Sequence, residues 1–448
     1  MKTNFYFRSI CCTLAATTLF ACTQEVIETL PIQAESETQL MKVQSKYRTY
    51  GEALAIAQDA IGMLGESSVT RSGNPRTIDI HNVQYIVNTS STRSDGKPDT
   101  LMYVFNYEDN AGFAVVSANR ATEELIAVTE QGNYVTGEDT GNDGFDLYMD
   151  MAETYILTAL EPIPPVGGGG DGQEILTQFR MFVDRDTTTF GPYLQVRWGQ
   201  DWPYNMACPI LGGKRTKAGC VATAIAQIMT YYKHPSSFTA TFQPTDYVQQ
   251  LDWDEILEHK YTENTTDETC SQCTSSTIHN VIASLIRQIG VKVEMIYDVD
   301  VSGTDSELFA RSALTHFGYT SGSYQDYSSY VVANSIIGRK LVFMRGGISA
   351  YDGHAWVIDG YRHIHELHRE CMKPINALEW IEQKRWTEDH YYNHINWGWN
   401  GDNNGYFLRN VFDITLPQEL DPGMSASDSI DYNFTYDLKI IPNITKQQ

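Results

Sequence analysis

Three short stretches of the chain hold side chains whose types suit nucleophilic catalysis. The first is "KAGCVATAIAQIMTYYKHP", Lys217 to Pro235, where Cys220 follows a glycine and opens a run of good helix formers. Val221, Ile225, Ile228, Met229 and Tyr232 recur at helical spacing, which places Cys220 in the first turn. Gly219 frees the chain to turn sharply into that helix. Unpaired amides and the helix dipole favour an anion there, so a thiol gains thiolate character, and the thiolate is the form that attacks. Lys214, Arg215 and Lys217, just upstream, are expected to push the same way. A buried structural cysteine is the competing reading.

A nucleophile needs a base. His354 in "YDGHAWVIDGY" opens a strand after the glycine-bearing loop "GGISAYDG". Alternation puts His354, Trp356 and Ile358 on one face and Ala355, Val357 and Asp359 on the other, so Asp359 is a poor partner for His354. The third stretch is "HINWGWNGDNNGYF". The Asn396 amide can accept from one imidazole nitrogen and aim the other at the thiol, with Trp397 and Trp399 shielding the bond from water. A packed core histidine and a hairpin with buried indoles are the plain alternatives for these two stretches.

These residues need a scaffold. The chain of 448 residues, 42% hydrophobic and 20% charged, can bury sizeable cores in two to four domains. Its net charge of −24 leaves no basic excess for phosphates and excludes nucleic acid as a partner. "YGEALAIAQDAIGML" carries a helical stripe, and "VQYIVNT", "DTLMYVFNY", "GFAVVSAN" and "LIAVTEQG" read as strands, with "YEDNAG" a turn between two of them. An α+β unit over residues 45–160 follows from this pattern. "EPIPPVGGGGDG", Glu161 to Gly172, is the clearest linker, within a connecting region of residues 161–186. Residues 187–448 place helices first ("STIHNVIASLIRQIG" among them) and strands later, an α+β domain with a helical part and an antiparallel sheet part.

The N-terminus is a targeting segment over residues 1–21: Lys2 and Arg8, then the apolar run "SICCTLAATTLFA", too short to span a bilayer. "LFAC" resembles the lipobox of bacterial lipoproteins, which implies cleavage before Cys22 and a lipid anchor on its sulfur, with residues 22–44 as a tether. A plain secretory signal is the alternative. Cys11 and Cys12 leave with the signal. Cys208, Cys220, Cys270, Cys273 and Cys371 then form an odd set, so at least one thiol is outside any intramolecular disulfide. "CSQC" reads as a local disulfide or two free thiols rather than half a zinc site.

The three stretches, in this order, resemble the streptopain family of papain-like cysteine peptidases from about Gln195 to the C-terminus. "LDWDEIL" and "IRQIGVKVEMIYD" lie in register between them. "YVFNYEDNAGFAVVSANRATEELIAVTE" is similar to that family's propeptide. The resemblance implies a papain-like fold preceded by an α+β propeptide domain. It implies Cys220 as nucleophile and His354 as general acid/base. Gln200 in "GQDWPYN" is implied in the oxyanion hole, and Asn396 and Trp397 near the histidine with Trp399 in support. The expected protein is an exported endopeptidase made as a zymogen, anchored through Cys22 at the bacterial envelope or surface and released on maturation. Its partners would be protein or peptide substrates and its own propeptide; neither cofactor nor metal is called for. A binding lipoprotein without catalysis, and a thiol-dependent amidase or acyltransferase, are the alternatives. One departure stands out: Arg362 to His394 is longer than the family's short connection and carries "H-x-H-x-x-H" (His363, His365, His368), expected as a solvated helical insertion.

Overall fold

The computed structural model describes residues 46–68, 75–92, 98–159, 177–258, 277–349, 352–374, 378–413 and 436–447. The targeting segment with Cys22, the tether up to residue 44, most of the linker, and Cys270 and Cys273 lie outside the described residues.

Helix α1 (Tyr50–Ala60) starts at a reciprocal cap: Glu52 N–H donates to Thr49 Oγ1, and Thr49 N–H to Glu52 Oε2. Antiparallel strands β1 (Ile78–Thr92), β2 (Pro98–Tyr107), β3 (Phe113–Ser117) and β4 (Leu125–Thr129) follow. Asp109 and Asn110 adopt positive φ in the β2–β3 turn, as the turn signal there requires. Helix α2 (Asp143–Thr158) closes this part, with Asn142 Oδ1 capping Phe145 N–H at 3.2 Å. Its stripe of Phe145, Tyr148, Met149, Ala152 and Ile156 is buried.

The rest of the chain runs through β5 (Thr177–Phe190), the short hairpin β6 (Ile210–Leu211) and β7 (Lys214–Arg215), then helix α3 (Cys220–Tyr232). A second hairpin, β8 (Ser237–Ala240) and β9 (Tyr247–Gln250), precedes helices α4 (Trp253–Glu258), α5 (Thr277–Lys292) and α6 (Ser306–His316). Two short strands, β10 (Tyr319–Thr320) and β11 (Gln325–Asp326), and helix α7 (Ser329–Ile337) lead into β12 (Leu341–Ser349), β13 (Asp352–Pro374), β14 (Ile381–Asn396), β15 (Gly405–Leu408) and β16 (Lys439–Lys446). Helix α3 is buried over Val221–Thr230 and shares a core with Ile282, Leu285, Ile286 and Ile289 of α5. That burial on all sides fixes the depth and rotation of its first residue.

The main sheet has the order β1-β2-β3-β4-β15-β14-β13-β12-β16-β10, with β11 also on β16. N-terminal and C-terminal parts are therefore one sheet, joined where β4 pairs β15 through Thr129↔Gly405, Val128↔Tyr406 and Ala127↔Phe407. One apolar core spans the seam: Phe145 and Tyr148 belong to the same cluster as Trp397, Phe407 and Phe412.

Among the described residues, the segment Arg362 to His394 is not a helix. Residues 362–374 continue β13 and residues 381–394 lie in β14. Burial alternates with a period of two, Arg362, Ile364 and Glu366 buried between less buried His363 and His365, which is a strand pattern. In a strand, His363 and His365 share a face that His368 does not. The described residues 177–186, 365–374 and 378–389 belong to a small compact unit of their own. Within it Phe182 and Trp380 meet edge to face at 6.0 Å, and Arg180 lies over the Phe182 ring.

Candidate active site

Cys220 is the first residue of α3, and Gly219 before it has φ +90°. A side chain at 219 would be strained by that φ and would strike the end of Met295, with Sδ at 2.6 Å. Both constraints require glycine, and both fix where the thiol points. Burial alone pushes the Cys220 pKa up. The hydrogen bond and charge of His354, with the amides of Ala355 and Val221, outweigh it and leave the thiol below its ordinary value. The upstream cations are otherwise engaged, contrary to the sequence expectation. Lys217 pairs with Asp201 at 2.7 Å, and Arg215 donates to the carbonyls of Met206 and Cys208. Lys214 is exposed in the β6–β7 hairpin. Among the described residues Cys208, Cys220 and Cys371 are free thiols, and burial pushes Cys208 up to about 12.

His354 lies near the start of β13, opposite Gly346 of β12, and is 2% exposed. Its Nε2 is 2.8 Å from the carbonyl oxygen of Trp397. A carbonyl can only accept, so Nε2 carries hydrogen and Nδ1 is left for the thiol. Burial pulls the His354 pKa down. Hydrogen bonding and charge from Cys220, the Trp397 carbonyl and the charge of Asp143 raise it above its usual value. With one group lowered and its neighbour raised, the pair is suited to exist as thiolate and imidazolium. Trp356 stacks on the imidazole at 6.2 Å and Trp399 meets it edge-on at 5.8 Å, walls that keep water from the pair.

Asn396 is not the hydrogen-bond partner of His354, which corrects the sequence expectation. Its Nδ2 donates to Val196 O at 2.9 Å, and its Oδ1 accepts from Gly398 N–H at 3.1 Å. That N–H belongs to the Trp397–Gly398 peptide, the same unit whose carbonyl faces His354. Gly398 has φ +74°, a turn in which glycine is at ease. Trp397 is buried, its indole N–H on Asn403 O and its backbone N–H on Asn404 Oδ1, both at 3.0 Å.

Gln200 is buried, and its backbone carbonyl accepts from Ala218 N–H at 2.9 Å, two residues before the cysteine. That bond ties Gln200 to the segment entering α3. Trp198 N–H donates to Gln227 Oε1 of α3 at 3.1 Å, and Thr223 Oγ1 of α3 lies 3.5 Å from Gly199 O. Residues 198–200 are therefore strapped along the helix that carries Cys220. Gln200 and the Cys220 amide thus belong to segments held in fixed register.

Sequence reasoning missed two features. Helix α2 is one, although Asn142, the acidic Asp143 and Asp146, and the apolar stripe behind them signal it. Its first turn is seated on the site. A methyl group at Gly144 would come within 2.6 Å of His354 Cδ2 and 2.8 Å of Trp397 Cε3, and the Phe145 ring meets Trp397 edge-on at 6.5 Å. The other is a buried charge cluster beneath the sheet. Asp359, which strand alternation turns away from His354, instead accepts from His394 Nδ1 at 2.6 Å. Among the described residues, no set of three metal-ligating side chains gathers around Cys220.

Comparison with known proteins finds matches for both parts of the chain. Residues 198–407 match the Peptidase C10 family, and residues 43–156 match the Spi protease inhibitor family. The chain is 23% identical over 369 residues to the thiol protease/hemagglutinin PrtT of Porphyromonas gingivalis, an alignment covering 78% of this chain and 37% of that protein. It is 23% identical over 354 residues to streptopain of Streptococcus pyogenes, covering 72% of this chain and 77% of that protein. Among solved structures, a fragment of prointerpain A from Prevotella intermedia is 21% identical, with 82% of this chain and 100% of that chain covered and a TM-score of 0.49. Residues 198–407 thus carry the Peptidase C10 match, and the chain is a streptopain-like cysteine-type endopeptidase with an N-terminal propeptide domain of the Spi inhibitor type.

Proposed function

We propose that the chain is an exported zymogen in which Cys220 and His354 form the catalytic dyad and residues 45–160 block it until they are removed. The observation that carries this reading is the seating of the α2 N-terminus on His354, where Gly144 leaves no room for a methyl group. A peptide substrate could not share that face of the imidazole with α2.

In the uncovered site, the Cys220 thiolate attacks the scissile carbonyl carbon, and the carbonyl electron pair moves onto oxygen. The Gln200 amide and the Cys220 backbone N–H receive that oxyanion, each donor worth about 3–4 kcal/mol of barrier. The oxyanion collapses, the C–N bond breaks, and His354 gives its Nδ1 proton to the leaving amine. A water then attacks the thioester, losing its proton to His354, and the acid departs as the Cys220 thiolate reforms. The Trp397 carbonyl holds the ring throughout, and the three indoles exclude bulk water.

Export rests on the apolar leader, and a lipid on Cys22 would tether the zymogen. Labelled palmitate should enter the wild-type chain and not Cys22→Ala; label persisting in that variant overturns the anchor. The zymogen reading is tested by incubating purified wild-type and Cys220→Ala chains. The wild type should shorten to a form beginning between about Gly167 and Pro192 and gain activity, while Cys220→Ala stays full length. A new N-terminus inside Asp99–Tyr107 would overturn the domain boundary.

A further inference from the structure

Cutting the linker does not by itself part the two domains. The β4–β15 pairing and the packing of Phe145 and Tyr148 against Trp397, Phe407 and Phe412 remain after the cut. Neither backbone pairing nor apolar contact titrates, but charged groups across the seam do. Glu123 accepts from His390 Nδ1 of β14 at 2.6 Å where both are partly exposed, and Glu130 is buried.

Glu130 follows β4 directly. Its N–H donates to Asn404 O at 2.7 Å, and its side chain is buried. One carboxylate oxygen lies 2.5 Å from Arg197 Nη2 and the other 3.4 Å from His394 Nε2. The carboxylate comes from the N-terminal domain, and both cationic neighbours come from the catalytic domain. His394 is held on its other nitrogen by Asp359 of β13, whose second oxygen accepts from Leu194 N–H at 2.9 Å. Other charged or titratable groups face the cluster. Arg76, ahead of β1, adds positive charge beside Glu130, with Tyr107 of β2 next to it. Tyr406 of β15 meets the His394 ring edge-on at 5.1 Å, and Arg362 of β13 lies 4.3 Å over Tyr406.

We propose that the Glu130 carboxylate, seated between Arg197 and His394, is the key by which the N-terminal domain holds the catalytic domain, and that acid loosens the seam by neutralising it. The proposal rests on the inhibitory role given to residues 45–160 above. A neutral Glu130 leaves the buried imidazolium of His394 and the partly buried guanidinium of Arg197 facing a group that no longer balances them. Burial pushes the Glu130 pKa up, but His394, Arg197 and Arg76 outweigh it and hold the group below the usual carboxylate range. Its contribution to docking is therefore complete above the ordinary carboxylate value and is lost as pH falls through the lower, docked one. His394 is pulled down by burial but raised to about 9 by Asp359 and Glu130. It stays charged from neutral pH downward, and Asp359 continues to hold it after the domains part. The release is thus driven from the carboxylate side.

The test compares full-length wild-type and Glu130→Gln zymogens for the rate at which activity appears, at pH 7 and in steps down through and below the ordinary carboxylate range. Because Glu130 is absent from the processed enzyme, the ratio of the two rates cancels the pH dependence of the chemistry. Glu130→Gln should activate at least tenfold faster at pH 7, and the ratio should fall toward one only as pH drops below the ordinary carboxylate range, where the docked wild-type carboxylate is also neutralised. A ratio of one at pH 7, or one that does not change with pH, overturns the proposal. In a Cys220→Ala background, the amide of Tyr406, which faces β4, should lose at least tenfold of its hydrogen-exchange protection at pH 7 on Glu130→Gln; unchanged protection overturns it as well. Should the Gln variant not fold, Glu130→Asp, which keeps the charge but shortens its reach, should show the same direction at pH 7, and wild-type behaviour there counts against the key. A wild-type zymogen that is fully active while uncut would instead overturn the inhibitory role itself.

Discussion

The Nε2 of His354 is held at 2.8 Å by the backbone carbonyl of Trp397, not by the side chain of Asn396. The imidazole is thus oriented by a peptide unit, and Asn396 acts on that unit from behind. Its Oδ1 fixes the Gly398 N–H while its Nδ2 anchors to Val196. Asn396→Ala should lower kcat of the processed enzyme by about tenfold to a hundredfold, the cost of one buried hydrogen bond expressed as a rate. KM should change little. Asn396→Asp, which can still accept from Gly398 but cannot donate to Val196, should fall in the same range. A rise in KM with kcat unchanged would place Asn396 in substrate binding instead.

In the proposed mechanism, Gln200 separates activation of the thiol from stabilisation of the oxyanion. Gln200→Ala should lower kcat by about 10²–10³. The rate of Cys220 alkylation by iodoacetamide, which forms no oxyanion, should stay within about twofold of wild type. Equal losses in both assays would mean that Gln200 shapes the thiol's surroundings rather than the oxyanion hole.

The proposed dyad has a pH signature. Cys220 is lowered and His354 raised, so the thiolate appears below the ordinary thiol range and the imidazolium persists above the ordinary histidine range. Hydrolysis needs both, and its pH profile should be a bell between the two values. Alkylation of the processed enzyme should begin its rise below the ordinary thiol range. In His354→Ala the main cause of the lowered thiol is gone, and the rise should move to higher pH. An alkylation profile that is the same in both would contradict the pairing.

Gly144 is an ordinary helical residue of α2 with no backbone need for glycine; its constraint is the imidazole and indole in front of it. Gly144→Val should therefore weaken latency without touching the processed enzyme, with activity appearing about tenfold sooner from the full-length chain. Activation at the wild-type rate would show that α2 does not guard His354.

Much of the site can be read from residue order. A glycine, a cysteine and a helical apolar stripe define the start of α3 with no tertiary information, and alternation around His354 separates it from Asp359. The orienting carbonyl cannot be read, because every residue has one and only the fold selects which faces the ring. Asn396 carries the visible signal, and the peptide beside it makes the contact. Pairing of β4 with β15 joins strands far apart in sequence, and no local pattern announces it. Along Arg362–His394, charged and histidine side chains on both faces blur the alternation that a half-buried strand would show, so the sequence reads there as a helix. Helix α2 is legible in its cap and stripe; its seat on the imidazole is not.

The most direct measurement is casein hydrolysis by the processed enzyme, combined with mass mapping of the site labelled by an E-64-type epoxide. Wild type should lose all activity with one equivalent of label on Cys220, and Cys220→Ala, supplied already cut at the linker and freed of residues 45–160, should hydrolyse nothing and take up no label. Hydrolysis surviving in Cys220→Ala, or inhibition by label on Cys208 or Cys371 alone, would contradict the assignment of Cys220 as the nucleophile.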